Sequence, residues 1–339
     1  MRTKRMIFVL ALSLVILHLA ILFAGFIAPY DSTAQNREFS YAPPTRLHFR
    51  DASGFHWRPF VYGSVPDLDS YREDPSVEYP LRLFVRGDSY RWLWLVKGNV
   101  HLYGVDAPGR ILLLGADLYG RDELSRLVTA GQISLAAGLL ATFVTLAIAT
   151  IVGLVSGYYG RWVDESLMGG SELFLSLPWF YFLVGVRAFL PLHLSPESTF
   201  FLLIAVIGVI GWARPARLVR GLALSARQRN YVLAARSFGG SDLYLLRRHL
   251  LPEMAGILLT QAALLIPQYI AAEATLSFFG LGISEPVASW GNMLSALQQY
   301  TVLVSYYWLL APAAALVITS VMYWLLADAL HHWLQFHSI

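Results

Sequence analysis

Cysteine is absent from the 339 residues, which excludes a disulfide framework and any thiolate metal site. Lysine is nearly absent too. Lys4 and Lys97 are the two present, and neither ends a glycine-rich loop of the Gly-Lys-Ser/Thr type. The phosphate cradle that an ATP-hydrolysing motor needs is therefore missing from this polypeptide. Among nine histidines there is no His-Glu-x-x-His run, and no Gly-x-Ser-x-Gly elbow occurs, so two common hydrolase signatures are missing as well. His331, His332 and His337 gather near the end of the sequence. Tail histidines of this kind are polar interfacial residues, and no metal site is expected. Charge is scarce at 14%, against about a quarter in a soluble domain.

What is abundant is apolar sequence, 56% of the chain, laid out in long charge-poor blocks as a membrane protein requires. The first block, residues 6–29, holds no charge and follows Arg2, Lys4 and Arg5. It exceeds the apolar run of a secretory signal, so an uncleaved anchor is expected. Further blocks cover residues 133–157, 167–186 (with Glu172 and Leu177-Pro178), 200–212, 254–282 (with Pro267 and Glu273) and 302–327. Six spans place both termini on one side. The segment between the fourth and fifth blocks carries Arg214, Arg217, Arg220, Arg227, Arg229, Arg236, Arg247 and Arg248, and Arg161 precedes the third. The opposite loops, 191–199 and 284–301, contain no Lys or Arg. The positive-inside rule then predicts cytoplasmic N- and C-termini, with a tail at 331–339.

Residues 30–113 fall outside on this reading. Stretches 79–86, 90–96 and 110–114 are rich in β-formers between Gly, Asp and Pro breaks. They fit a small, partly β-structured subdomain, or an irregular insertion packed on the helices. Residues 117–127 read as a short amphipathic helix before the second span. In the 214–253 loop, residues 224–237 form one helix, Gly239-Gly240 breaks it, and Ser241 caps a second whose first turn holds Asp242. Arg247, Arg248 and His249 suit its last turns, and Pro252 marks its end. Leu233, Phe238, Leu245 and Leu246 are apolar residues to spare. They can dock into another protein's groove or pack on this chain's own helices.

At Tyr231-Val-Leu-Ala-Ala-Arg-Ser-Phe-Gly-Gly-Ser-Asp242, followed by Arg248-His-Leu-Leu-Pro252, the sequence resembles the permease subunits of ABC importers of the dipeptide/oligopeptide/nickel group. Their signature is Glu-Ala-Ala, three residues, Gly, and a later Leu-Pro. Ala234, Ala235, Gly239, Leu251 and Pro252 stand at the matching places, and Leu233 replaces the acidic residue. Two further segments carry the resemblance: Leu114-Gly-Ala-Asp-Leu-Tyr-Gly-Arg-Asp122 with Leu124-Ser-Arg-Leu127, and Glu273-Ala-Thr-Leu-Ser-Phe-Phe-Gly-Leu-Gly282 with Ser289-Trp-Gly-Asn-Met-Leu294. Together they cover residues 114–330. The 30–111 insertion is longer than the simplest members carry.

The resemblance implies an all-α membrane protein of the type I ABC importer permease fold: a first helix at 1–29, the external insertion at 30–113, and a five-helix core at 114–330. It implies a non-enzymatic subunit in a bacterial inner membrane, forming half of a pathway for peptides. The implied partners are a second homologous permease, two ATPase subunits that carry ATP and Mg, an extracytoplasmic substrate-binding protein, and membrane lipid; no nucleic acid and no cofactor in this chain are implied. Ala234, Ala235, Gly239, Ser241, Asp242, Leu251 and Pro252 would then couple the chain to an ATPase. Glu273 is the intramembrane polar candidate, facing either the pathway or helix ends within the bundle. A self-contained secondary transporter is the alternative, but no internal repeat supports it. An intramembrane enzyme lacks its catalytic constellation.

Overall fold

The computed structural model describes residues 2–337 apart from 52–53, 68–69, 93–95, 177 and 189–194. In chain order the helices are α1 (Arg2–Leu22), α2 (Ala24–Ile27), α3 (Glu123–Tyr159), α4 (Arg161–Ser176), α5 (Trp179–Ala188), α6 (Pro196–Ile210), α7 (Ala213–Ala226), α8 (Asn230–Ser237), α9 (Asp242–Leu245), α10 (Leu251–Phe278), α11 (Trp290–Leu294), α12 (Tyr300–Ser305) and α13 (Ala311–His337). Between α2 and α3 lie the strands β1 (His48–Asp51), β2 (Gly54–Asp67), β3 (Ser70–Pro80), β4 (Arg82–Trp92) and β5 (Val96–Gly104).

Among the described residues four helical stretches are long and apolar enough to cross a bilayer: Lys4–Leu22, Glu123–Tyr159, Asp242–Phe278 and Tyr307–Leu334. The pair α6 and α7, bent by 44° at its break, makes a fifth if taken as one broken span. The block at 167–186 falls on α4, which ends at Ser176, and α5, which begins at Trp179. Pro178 lacks an N–H and crowds the preceding turn, which disfavours continuing a helix begun upstream, and neither piece alone reaches bilayer length. Leu177 and residues 191–194 of the expected loop lie outside the described residues. The last block is displaced: α12 and a 3₁₀ turn at Tyr307–Leu310 come first, and α13 then runs to His337.

By internal contacts the chain forms two compact units. The first comprises Met1–Leu14, Leu135–Leu276 and Ile318–Ile339. Within it α7 packs closely on α3. Ala216, Val219, Ala223 and Ala226 recur at helical spacing and are all buried, as are Leu154 and Tyr158 of α3. Gly153 and Gly157 permit the approach. A Cβ on Gly157 would lie 2.6 Å from Ala223 Cβ and 2.7 Å from the Arg220 carbonyl. Because backbone blocks any larger residue, Gly157→Leu is expected to cost about 1–3 kcal/mol or more by overpacking. A lowered unfolding temperature in detergent is the corresponding readout; an unchanged one would contradict the close approach.

The second unit comprises Val15–Ser134 and Ser277–Val317. β1, β2 and β3 form an antiparallel sheet in that order, and β4 pairs with β5 as a separate hairpin. β2 escapes a reading by sequence because Pro59, Gly63 and Pro66 interrupt it; its register shifts between Tyr62 and Gly63, a bulge that takes up the break. Residues 110–114 contain no strand. There Ile111 and Leu112 are buried, with their amides donating to Tyr30 Oη (2.8 Å) and Thr45 Oγ1 (2.9 Å).

Residues 117–122 are a turn and not the expected amphipathic helix. Asp117 Oδ1 accepts the amides of Tyr119 (2.9 Å) and Arg121 (3.0 Å), and Ala116 bridges to Asp122. Gly120 sits at φ +67°, where a Cβ would strike the Asn36 carbonyl at 1.7 Å. Only glycine fits, and the turn delivers Asp122 to the start of α3, where its Oδ2 accepts the Ser125 amide at 2.8 Å.

Four side chains then form an ion cluster in this unit, with Asp117, Arg121 and Arg126 largely buried and Glu285 half-exposed. Arg121 donates to Asp117 Oδ2 (2.7 Å) and holds Glu285 in a two-pronged grip (2.7 and 3.2 Å). Arg126 donates to the same Glu285 at 3.0 Å. Burial works to raise the Glu285 carboxyl, but the hydrogen bond from Arg121 and the charge of Arg126 outweigh it and hold the group below its usual range. The Ser289–Leu294 segment of the resemblance is a lock in the same unit. Ser289 and Asn292 form a capping box, and buried Trp290 donates its indole N–H to the Leu127 carbonyl (3.0 Å).

Candidate functional site

The elbow between α7 and α10 is assembled within the first unit from charge pairs and one glycine. α7 enters it well anchored. Arg220 bonds Asp164 of α4, which also accepts the Ser156 hydroxyl. The hydrogen bond from Arg220 and that from Ser156 outweigh burial and lower the Asp164 carboxyl. Arg217 pairs with Glu172 at 3.3 Å. Arg227 Nη1 caps the end of α3 by donating to the carbonyls of Gly157 (3.0 Å) and Tyr158 (3.1 Å), where a cation also suits the helix dipole. Arg229 pairs with Glu253 at 2.8 Å, and Tyr231 donates its hydroxyl to the same carboxylate.

α8 ends in a complete Schellman motif. The Gly240 amide donates to Ala235 O and the Gly239 amide to Arg236 O, both at 3.0 Å. Gly239 has φ +86°, the left-handed conformation that the motif needs at this place. Ser241 then caps α9, accepting the Tyr244 amide, and Asp242 accepts the Tyr158 hydroxyl at 2.6 Å. That bond ties the start of α9 to the end of α3. Tyr158→Phe removes it, and a hydrogen bond to a charged group is worth about 1.5–3 kcal/mol. Faster hydrogen exchange in α8 and α9, with α3 unchanged, is the expected result; equal protection in both proteins would count against the tether.

The chain does not stop at Pro252. α9 passes through a π-helical turn, Leu246–Leu250, directly into α10, and the Leu251 amide reaches back to Leu246 O. A proline lacks its own N–H and crowds the carbonyl four residues earlier. A widened turn just upstream relieves both problems. Arg247, Arg248 and His249 therefore occupy the π turn and not a helix end.

The apolar residues of the elbow divide. Leu245 and Leu250 are fully buried with Val232 and Met254, and Leu246 and Ala235 pack on the same core. Phe238 is 91% exposed and Leu233 48%, and they are joined by Leu243 (64%) and Tyr244 (50%), which sequence reasoning missed. Ala234, Gly239, Ser241, Asp242, Leu251 and Pro252 are also exposed. Seven predicted residues thus share one elbow, but its outward apolar surface comes from Phe238, Leu243 and Tyr244.

Glu273 lies apart, in α10, at 1% exposure. A polar knot in the same unit was invisible in the sequence: Thr145 donates to Gly208 O and bonds the Tyr269 hydroxyl, both at 2.9 Å. Gly211 leaves room for that hydroxyl, since a Cβ there would lie 1.9 Å from it. Among the described residues no three His, Asp or Glu side chains gather to hold a metal ion.

Bilayer-length helices interrupted by an arginine-rich elbow define a multi-pass α-helical membrane protein. The chain belongs to the family of binding-protein-dependent transport system inner membrane components, which residues 149–337 match. It is thus a transport permease component and not an enzyme. A Brucella ovis protein named as a peptide permease is 34% identical over 229 residues, 67% of this chain and 74% of that one. The oligopeptide transport system permease protein OppC of Haemophilus influenzae is 36% identical over 218 residues, 64% of this chain and 67% of the relative. An inward-facing structure of the MetNI methionine ABC transporter is similar over 60% of this chain and 93% of its own, with 20% identity and a TM-score of 0.45.

Proposed function

We propose that this chain is a membrane-spanning permease subunit of an ATP-driven peptide importer. It pairs with a second homologous permease to enclose the pathway, two ATPase subunits carry out hydrolysis, and an extracytoplasmic binding protein delivers substrate. The relatives named for peptides support the substrate class. Six spans with cytoplasmic N- and C-termini follow if α4 and α5 together cross the membrane, and the arginines of the elbow support a cytoplasmic position for it. The observation that carries the reading is the elbow itself. Its inner residues are clamped to α3 and α10, while Phe238, Leu243 and Tyr244 each leave half or more of their surface exposed. Such a surface is fit to lie in a groove of an ATPase and to move as one body with α3 and α10. Ala234, Ala235, Gly239, Ser241, Asp242, Leu251 and Pro252 give the elbow its shape.

Mild-detergent affinity purification with mass spectrometry tests this. A second permease and ATPase subunits should accompany the tagged chain, with ATPase activity in the eluate. An intact, folded chain that purifies alone would sink the proposal. Glu273 is the intramembrane polar candidate, serving either the transport pathway or the helix ends within the bundle, because a carboxyl buried within a span is costly and needs a cavity or a partner. Glu273→Gln should reduce uptake severalfold at an unchanged membrane level, and full uptake would remove any role for its charge.

A further inference from the structure

The arginines of the elbow differ in what they hold. Arg217, Arg220, Arg227 and Arg229 are used inside the chain, on Glu172, Asp164, the carbonyls closing α3 and Glu253. Arg247 and Arg248, in the π turn, are exposed and form no ion pair or side-chain hydrogen bond among the described residues. The nearby acids are already engaged. Between residues 214 and 253 the acids are Asp242 and Glu253. Asp242 accepts the Tyr158 hydroxyl, and Glu253 is held by Arg229 and Tyr231.

Helical spacing puts these two charges beside the outward apolar surface. Arg247 stands four residues after Leu243 and Arg248 four after Tyr244, so each lies about one turn on from an exposed apolar side chain and on the same side of the helix. The other side of these turns is inward: Leu245 and Leu250 are fully buried, and Leu246 packs on their core. The outward side of α9 and the π turn is therefore apolar at its start and doubly positive one turn later.

The position of α10 in a bilayer limits what this side meets. Residues 254–272 carry no charge and make about 28 Å of helix, close to the roughly 30 Å hydrocarbon core. Arg248 and Arg247 lie about 9 and 10 Å before Met254 along the axis, past a headgroup layer about 5–7 Å deep. Side chains on a helix tilt toward its N-terminus, and here that end points away from the bilayer. The two guanidinium groups thus reach out of the headgroup layer. An apolar surface with free cations beside it is complementary to a protein surface that is apolar with acids beside it.

We propose that the ATPase surface receiving the elbow is acidic where Arg247 and Arg248 reach it, with carboxylates paired to the two guanidinium groups beside a groove that takes Phe238, Leu243 and Tyr244. The inference rests on the reading that the elbow docks on an ATPase, and adds the charge of that partner. Arginine suits the contact, since its planar fork binds a carboxylate through two parallel hydrogen bonds. A subunit with basic residues at that place is repelled, so the pair also selects the ATPase.

The scarcity of lysine supplies the test, because Lys4 and Lys97 both lie outside the elbow. In the complex that co-purifies with the tagged chain, Arg247→Lys and Arg248→Lys each keep the charge and introduce one amine at the site. A water-soluble carbodiimide should then join that amine to an Asp or Glu of the ATPase, identified by mass spectrometry. An amine that couples to an added small carboxylate but to no ATPase acid would overturn the proposal. Arg247→Glu/Arg248→Glu should weaken ATPase retention by about tenfold or more, through like charges brought face to face. Arg247→Gln/Arg248→Gln should weaken it less and leave it insensitive to salt between about 0.05 and 0.5 M, whereas retention by the parent falls as salt screens the pairs. Equal, salt-insensitive retention by all three proteins would overturn the acidic assignment and leave docking intact. If the parent retains no ATPase, the docking reading itself fails. A loss by the glutamate variant in phosphatidylglycerol nanodiscs but not in phosphatidylcholine ones would assign the arginines to lipid headgroups and overturn the proposal.

Discussion

Phe238→Asp is expected to leave the chain folded and inserted while reducing ATP-driven uptake by about 30-fold or more. The side chain is 91% exposed, so its removal takes no contact from this chain's own core. Gly239 and Gly240 keep their Schellman bonds whatever side chain stands at 238, because those bonds join backbone groups. What changes is the centre of the outward surface. Buried aromatic anchors at interfaces are worth about 2 kcal/mol or more when truncated, which is about 30-fold in association, and a carboxylate in an apolar groove adds a desolvation penalty. Uptake of a labelled peptide and retention of ATPase subunits on the tagged chain should fall together. Leu245→Ala supplies the contrast. Leu245 is fully buried in the core beneath the elbow, so its truncation should cost about 2–5 kcal/mol of stability and lower the amount of protein. Normal uptake by Phe238→Asp at a normal membrane level would remove the elbow from the coupling interface.

The elbow shows what a sequence carries and what it hides. Gly239 was legible because a glycine pair between two helix-forming stretches admits few other structures. Ser241 and Asp242 were legible because capping chemistry is local. Which leucines faced inward was not. α9 has four residues, too few for a periodic apolar stripe, so Leu243 and Leu245 look alike until their neighbours are known. Pro252 misled for a related reason: a proline usually ends a helix, and the π turn that accommodates it has no sequence signature. Residues 117–127 misled differently. Leu118, Arg121 and Leu124 have helical spacing, yet Asp117 and Gly120 dictate a turn, and their claim depends on Asn36, far away in sequence. Thr145 and Tyr269 are 124 positions apart, and their bond is knowable only from the fold. The apolar blocks themselves were readable, since exclusion of charge over twenty residues is a property of the sequence alone.

Asp117→Ala is expected to lower stability by about 3–5 kcal/mol, the penalty for breaking a buried ion pair and leaving the partner charge behind. In the intact cluster two guanidinium groups face two carboxylates. The side chains of Arg121 and Arg126 are 6% and 3% exposed, so water cannot replace what Asp117 supplies. Without it, the acidic side chains left beside the two arginines are the half-exposed Glu285 and the buried Glu123. The turn loses its own support as well, because Asp117 Oδ1 accepts the amides of Tyr119 and Arg121. Asp117→Asn separates the two contributions: it keeps an acceptor for the amides and removes the charge. If the ion cluster dominates, both variants lose most of the stability; if the turn dominates, the asparagine variant stays close to the parent. Acid should act in the same direction. The Glu285 carboxyl is held below its usual range in the fold, so the stability it contributes is full above the ordinary glutamate value of 4.5 and is lost as pH falls through the lower folded value. Unfolding temperatures of the detergent-solubilised chain, measured from neutral pH downward, should therefore fall for the parent at acid pH. They should fall less for Glu285→Gln, which has no such carboxyl to titrate. Parallel curves for the two proteins would mean that the Arg121–Glu285 grip does not contribute to holding the second unit together.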